Sequence, residues 1–378
     1  MKALIPYLVI VGLLCYSCKH QGDSTRDESH SPKNEFVSIA NKYTVEKIDD
    51  YYLLKVFNPW QKADRSSFSY LLGENKTMVP DSLKEVQFIK TPVQRVIIMS
   101  TTFISIIDTL GESETICGVS GAHYVYNEKL RQRIADKKVK DVGYDRGLNY
   151  ELVIELDPDV LFLYGVEAGV NQTIKKLEDL GVPVVMCADY LENEPLGRAE
   201  WIKFFGLFYE KQELATEIFE GITYRYDSIA ETASAATYFP SVFVGLPWKD
   251  TWYIAGGQSF AARFIEDAGG SYVWKALKTT EAEPFDLESC YIKILDADIW
   301  INAGVADNLQ SVLDHDNRFE NIKAFEEGEI YNNNLRVSAD GGNDYWESGL
   351  INPDKILNDL VNIFHKGNDS LYYYKRLR

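Results

Sequence analysis

Leu156-Asp157-Pro158-Asp159-Val160-Leu161-Phe162-Leu163 comes back later in the chain as Leu295-Asp296-Ala297-Asp298-Ile299-Trp300-Ile301. In both copies a segment of helical period runs into a short acidic turn and then into a continuous apolar run. Such a run reads as a strand buried on both faces, as in a parallel sheet covered by helices. A second echo pairs Ile107-Asp108-Thr109-Leu110-Gly111 with Ile265-Glu266-Asp267-Ala268-Gly269, each closing the first helix of its copy. Two similar α/β lobes in one chain follow from these repeats.

Outward from the first copy, strands are expected at Arg95–Met99, Ile116–Val119, Leu161–Tyr164 and Val182–Met186. Helices Phe103–Leu110 and Ile174–Leu180 alternate with them, which argues for a parallel sheet with right-handed crossovers. The second lobe repeats the plan with strands at Ser241–Gly245, Ile299–Asn302 and Glu329–Asn332. Its helices are expected at Phe260–Ala268 and Pro353–His365, the latter started by Asn352 as cap and Pro353 at the first helical position. Between the lobes, Leu196–Phe208 and Lys211–Ala233 keep helical spacing without internal proline. The second of these would be about 35 Å long, a stiff strut rather than a loose linker. Ahead of the first lobe, alternating runs at Tyr43–Ile48 and Tyr51–Phe57 around Asp49-Asp50 predict a hairpin, and further short strands follow. These read as a small antiparallel β extension over 36–94. The lobes are expected over 95–192 and 235–378, with connecting helices over 193–234.

Residues 1–18 read as an export signal, with Lys2 ahead of an apolar run from Leu4 to Cys15 that is too short to span a bilayer. Cys18, preceded by Ser17, suits lipidation better than Cys15, which follows Leu14. Residues 19–35 lack apolar residues able to seed a core and read as a flexible tether. A lipid plus a tether implies a protein working beside a membrane on its extracytoplasmic face. The net charge of −18 over 378 residues disfavours nucleic acid as a partner. Cys117, Cys187 and Cys290 stand alone in apolar surroundings, without metal or disulfide spacing. There are five histidines and no HExxH, nucleophile elbow or P-loop, so catalysis has no motif to rest on.

With these residues assembled, the chain resembles the ABC-importer substrate-binding proteins for iron-siderophore, heme and vitamin B12. Val142-Gly143 through Asn149-Tyr150-Glu151 to Leu156-Asp157-Pro158-Asp159-Val160 is similar to that family's N-x-E helix and L-x-P-D strand signature. Ala255-Gly256-Gly257 to Gly269-Gly270 and Glu288 to Ile299 resemble the matching second-lobe segments. The resemblance spans about 95–365 and leaves 36–94 outside. It implies two lobes, each with a central mostly parallel sheet flanked by helices, joined by one long rigid helix. It also implies that Glu151 and Glu288 dock on the permease. Both begin a helix, where a carboxylate is favoured by the dipole.

Ligands of open α/β sheets bind beyond the carboxyl ends of strands. Those loops are aromatic here: His123, Tyr124 and Tyr126; Tyr144 with Asp145 and Arg146; Tyr164; then Trp248, Trp252, Tyr253, Asn334 and Arg336. Trp248-Lys249-Asp250-Thr251-Trp252-Tyr253 stands out, because a Trp pair broken by polar residues suits a loop better than a core. Arg146 and Arg336 could pair with an anionic chelate or a propionate, and His123 with Tyr124 could serve as axial ligands to heme. The expected cargo is a ferric siderophore, with vitamin B12 or another corrinoid, or heme, as alternatives. The expected partners are an ABC permease and its ATPase, and the expected state is a monomer without resident cofactor, metal or catalytic residues. Two readings of another class stay open: a surface lipoprotein enzyme, for which Asp250 with Asp340 is the available carboxylate pair, and a sensor of the same cargo.

Overall fold

The computed structural model describes residues 36–378 other than Asp64, Asp145, Arg146, Glu167 and Asp369. The export signal, Cys18 and the tether lie outside the described residues. Strands β1 (Tyr43–Ile48), β2 (Tyr51–Phe57) and β3 (Ser67–Gly73) form an antiparallel meander, turned at Asp49 in the left-handed region. The fourth strand, β4 (Gln87–Lys90), pairs parallel to β3, so the expected all-antiparallel extension is mixed. Residues 74–86 carry the chain back past β3 in two short 3-10 turns, a crossover that a two-residue hairpin turn cannot make. The extension shares the first lobe's core: Tyr43 packs against Trp201 and Phe204, and the Met186 amide donates to the Tyr70 hydroxyl at 2.8 Å.

The first lobe runs β5 (Val96–Ile98), α1 (Thr102–Thr109), β6 (Ile116–Val119), α2 (Glu128–Ala135), β7 (Lys140–Asp141), α3 (Tyr150–Leu156), β8 (Val160–Leu163), α4 (Val170–Asp179) and β9 (Val184–Met186). Its sheet is wholly parallel in the order β7-β6-β5-β8-β9. The repeated acidic turn does the same work in both lobes. Asp159 accepts the amides of Gln94 and Arg95 where β5 begins. Asp298 accepts the amide and hydroxyl of Ser241 at the start of the second lobe's first strand.

Three helices join the lobes: α5 (Pro195–Ala199), α6 (Trp201–Phe208) and α7 (Gln212–Ser234). The helix expected over 196–208 is broken at Glu200, whose buried carboxylate accepts the amides of Ser38, Ile39 and Ala40 and pairs with Lys203. All eight residues of α6 are buried, as befits a helix that is apolar apart from Lys203, whose charge is paired with Glu200. Along α7, Phe219 and Ile222 belong to the first lobe's core and Tyr226 to the second's. One 23-residue helix is therefore packed into both lobes, which makes it a strut.

The second lobe follows with β10 (Ser241–Val244), β11 (Thr251–Ala255), α8 (Phe260–Asp267), β12 (Ser271–Tyr272), β13 (Ala282–Asp286), α9 (Leu287–Ile294), β14 (Ile299–Ile301), α10 (Leu309–Leu313), α11 (Lys323–Glu326), β15 (Ile330–Asn332), α12 (Asp344–Glu347), α13 (Pro353–Phe364) and β16 (Lys375–Arg376). Its sheet has the order β12-β10-β14-β15-β16, parallel except for β16, while β11 and β13 form a separate antiparallel pair. The tail before β16 is held by Asp359, fully buried, which accepts the amides of Tyr372, Tyr373 and Tyr374. No helix of the described residues is long and apolar enough to cross a membrane.

Burial opposes ionisation of Asp298, but the bonds from Lys323 and Ser241 outweigh it and hold the carboxyl at about 2. A carboxyl below its ordinary value of about 3.9 stabilises the fold above that pH and loses the contribution as pH falls toward 2. The urea midpoint should therefore drop between about pH 4 and pH 2 more steeply in the native chain than in Asp298→Asn. Equal slopes would contradict the assignment.

Candidate functional site

The carboxyl ends of the two sheets meet at a seam built from the loops after β6 and β15. Arg131 and Asp340 pair across it at 2.6 Å. A Cβ on Gly342 would stand 2.7 Å from the Tyr124 carbonyl, so only glycine lets the two backbones approach this closely. Glu347, 2% exposed, accepts the Tyr126 amide at 2.7 Å and the Asn127 amide at 2.8 Å, and its carbonyl accepts the Ser105 hydroxyl at 2.7 Å. Burial pushes its carboxyl up to about 7, although the two amide bonds act the other way. Farther along, Glu194 pairs with Arg263 of α8 at 3.1 Å, and the Arg198 guanidinium lies 3.6 Å from the Phe260 ring centre. A cavity of about 470 Å³ opens beside the seam, with Ser105, Asp108, Tyr126, Arg336 and Tyr372 among its walls.

The loops after the strands carry large side chains that are not withdrawn into either core. On the first lobe Tyr124, Tyr144 and Tyr164 are 54%, 62% and 40% exposed. His123 is exposed and lies with its ring centre 3.8 Å from that of Tyr124. Tyr164 meets Tyr190 edge to face, and the Tyr190 hydroxyl donates to the Gly165 carbonyl. On the second lobe Trp248 is 65% exposed, with the Lys249 ammonium 4.5 Å above its ring. Asp145 and Arg146 lie outside the described residues.

Trp252 is a correction. It is fully buried against Phe243, Trp300 and Phe319 and has no access to a ligand. The stretch is not a loop but a tight turn bridged at Trp248 and Thr251 that leads into β11, and strand alternation sends Trp252 inward and Tyr253 outward. Asn334 spends its amide nitrogen on Ala306 and Asp307 within its own lobe. Arg336 is already paired with buried Asp344 at 2.6 Å and lies over the rings of Tyr126 and Tyr372. Asp340, needed for a carboxylate pair with Asp250, is taken by Arg131.

Glu347, Tyr190 and Arg198 were missed by the sequence reading. Arg198 donates to the carbonyls of Tyr190 and Glu192, and burial lowers its pKa to about 10. Beside it, burial raises buried Asp189 to about 6, with Arg198 acting in the opposite direction. Glu347 and Tyr190 act through residues distant in sequence and so carry no local signal, whereas Arg198 folds back on nearby Tyr190 and Glu192 in a turn that no motif marks. Among the described residues no group of three or more His, Cys, Asp or Glu converges as metal ligands.

Glu151 and Glu288 occupy the same position in the two lobes. Asn149 caps α3 and Asp286 caps α9, and the glutamate is the second residue of each helix. Both helices run into the strand that follows the acidic turn, so both start at the carboxyl edge of their sheet, beside the cleft. Both glutamates are exposed.

Comparison with known proteins agrees with this architecture. The sequence model of the family described as periplasmic binding protein matches residues 96–333. An uncharacterized lipoprotein of Methanocaldococcus jannaschii is 29% identical over 356 residues, covering 89% of this chain and 81% of that protein. A possible iron-binding (periplasmic solute-binding) protein of Staphylococcus epidermidis superposes with a TM-score of 0.55 at 21% identity, covering 72% of this chain and 99% of that one. A periplasmic heme binding protein of Pseudomonas aeruginosa gives 0.57 at 17% identity, covering 76% and 98%. At these identities the two structures speak for the two-lobed fold alone.

Replacing Trp252 by Ala should cost about 3–5 kcal/mol of stability, as a large cavity in a packed core does. Trp248→Ala should change stability by no more than about 0.5 kcal/mol. Guanidinium unfolding of the two variants checks the assignment, and equal losses would contradict it.

Proposed function

The chain belongs to the periplasmic binding protein family, and from that premise we propose that it is a lipid-anchored, extracytoplasmic solute-binding protein that passes a ferric siderophore to an ABC permease and its ATPase. The observation that carries this reading is the cleft itself: exposed aromatic residues beyond the strand ends of two lobes that are pinned together at Glu347 and braced by α7. Such a site is largely formed before the ligand arrives, which lowers the ordering cost of binding. Cys18 would carry the lipid, the body would act as a monomer, and the cargo would change no bond while bound.

Charge narrows the cargo. Among the described residues Arg336 is committed to Asp344 and Lys249 lies over the Trp248 ring, so recognition would rely on the faces of Tyr124, Tyr144, Tyr164 and Trp248 more than on ion pairing. That favours a ferric hydroxamate of low charge over a highly anionic catecholate. The same observation favours a corrinoid as the second reading. Glu151 and Glu288 would meet cationic side chains of the permease. Ile154 and Ile292, 45% and 72% exposed, follow them one helical turn later and would add apolar contact on the same faces.

Tryptophan fluorescence of the chain carrying Cys18→Ser should show saturable, sub-micromolar quenching by a ferric hydroxamate, after correction for inner-filter absorption. Quenching by cyanocobalamin alone would move the cargo to the second reading. Silence toward these two, a ferric catecholate and hemin would overturn both the siderophore and the corrinoid readings. The double variant Glu151→Ala, Glu288→Ala should abolish cargo uptake by cells and leave ligand affinity unchanged. Loss of ligand affinity in that variant would contradict the docking role.

A further inference from the structure

The two rim glutamates share a position but not an environment. Glu151 forms no ion pair with any described residue, and its helix neighbour Glu155 is exposed and of like charge. Glu288 is occupied: Arg318 Nη1 donates to both of its carboxylate oxygens at 2.9 Å. The same guanidinium bonds Asp316 through Nη2 at 2.6 Å and through Nε at 3.0 and 3.1 Å. We propose that Arg318 is an intramolecular competitor for Glu288, so that a cationic partner engages Glu151 first and completes the contact only by displacing Arg318. This rests on the docking reading above, with the permease as the partner.

The surroundings of Arg318 suit an exchange. Its side chain is 44% exposed and that of Glu288 68% exposed, so an incoming guanidinium or ammonium reaches the pair directly. Arg318 is not stranded when Glu288 leaves. Asp316 keeps it by Nε and Nη2, and hydrogen bonding from Arg318 holds the Asp316 carboxyl below the usual carboxylate range. The backbone there is also fixed without Glu288: Asp316 accepts the Arg318 amide at 2.9 Å, and the Tyr291 hydroxyl donates to the Arg318 carbonyl at 3.1 Å. The released cation therefore retains one full partner and a set position. An exposed pair is weak, so the competition should tune affinity rather than forbid contact. Docking would then be asymmetric, with an open first-lobe carboxylate and an attenuated second-lobe one.

The test uses the full chain with Cys18→Ser, so that no lipid contributes, and right-side-out membrane vesicles from the source organism lacking its own copy. Co-sedimentation gives the apparent affinity for the membrane-borne permease. Arg318→Gln should bind about two- to five-fold tighter, the range expected for one exposed ion pair. Asp316→Asn, which leaves Arg318 wholly to Glu288, should bind more weakly. Glu288→Gln with Arg318→Gln should be no tighter than Glu288→Gln alone. Unchanged or weaker binding by Arg318→Gln, with an unchanged thermal midpoint, would overturn the inference while leaving the docking role of Glu151 and Glu288 intact. Binding that survives Glu151→Gln and Glu288→Gln together would overturn the docking reading and this inference with it.

Discussion

The preformed cleft depends on one buried carboxyl group crossing from one lobe to the other. Glu347 leaves α12 of the second lobe and accepts two consecutive amides, Tyr126 and Asn127, from the first. Burial pushes this carboxyl up to about 7, so the two amide bonds offset only part of the cost of withdrawing its charge from water. A carboxylate withdrawn from water without them would carry its full desolvation cost, so the lobes have reason to stay together. The contact also fixes the loop that presents His123 and Tyr124. Arg131 with Asp340 and the close approach at Gly342 keep the same seam.

The strut and the seam act at different places on the same pair of bodies. Helix α7 ties the lobes through residues of both cores, and the seam ties them through backbone amides. Opening by a hinge would have to break the seam or bend a helix of 23 residues that contains no proline. Within each lobe the repeated Asp159 and Asp298 anchor the start of a central strand, so the loops at the other end of the sheet inherit a fixed origin. The internal duplication thus gives two matching platforms. The differences between them, aromatic composition and the Arg318 clamp, are where specificity would reside.

The lobes were legible in the sequence because their signals are local. Apolar runs such as Val160–Leu163 and Ile299–Ile301 are buried on both faces, and Pro353 does open its helix, although Asn352 before it makes no capping bond and donates to the Ser348 carbonyl instead. What escaped was set by distant partners. The parallel pairing of β4 depends on where the chain returns, and β11 finds β13 only after α8 and β12 intervene. Trp252 misled because its neighbours Lys249 and Asp250 are polar, while its own environment is Phe243, Trp300 and Phe319. Arg336 showed its charge in the sequence but not its commitment to Asp344. Of the candidate site, the exposure of Tyr124, Tyr144 and Trp248 follows from their place after strands, while the burial of Trp252 and the pairing of Arg336 do not.

A cleft held at one width by seam and strut would show it in a distance measured between the lobes. Spin labels at Glu178→Cys on α4 and Asp314→Cys after α10, both exposed, would report the separation of the lobes in the chain carrying Cys15→Ser and Cys18→Ser. Lobes pinned at the seam should give one narrow distance distribution that moves by no more than about 2 Å when a ferric hydroxamate is added. A broad or two-peaked distribution in the free protein, or a shift on the order of 10 Å on binding, would mean hinged lobes and contradict a cleft of one width.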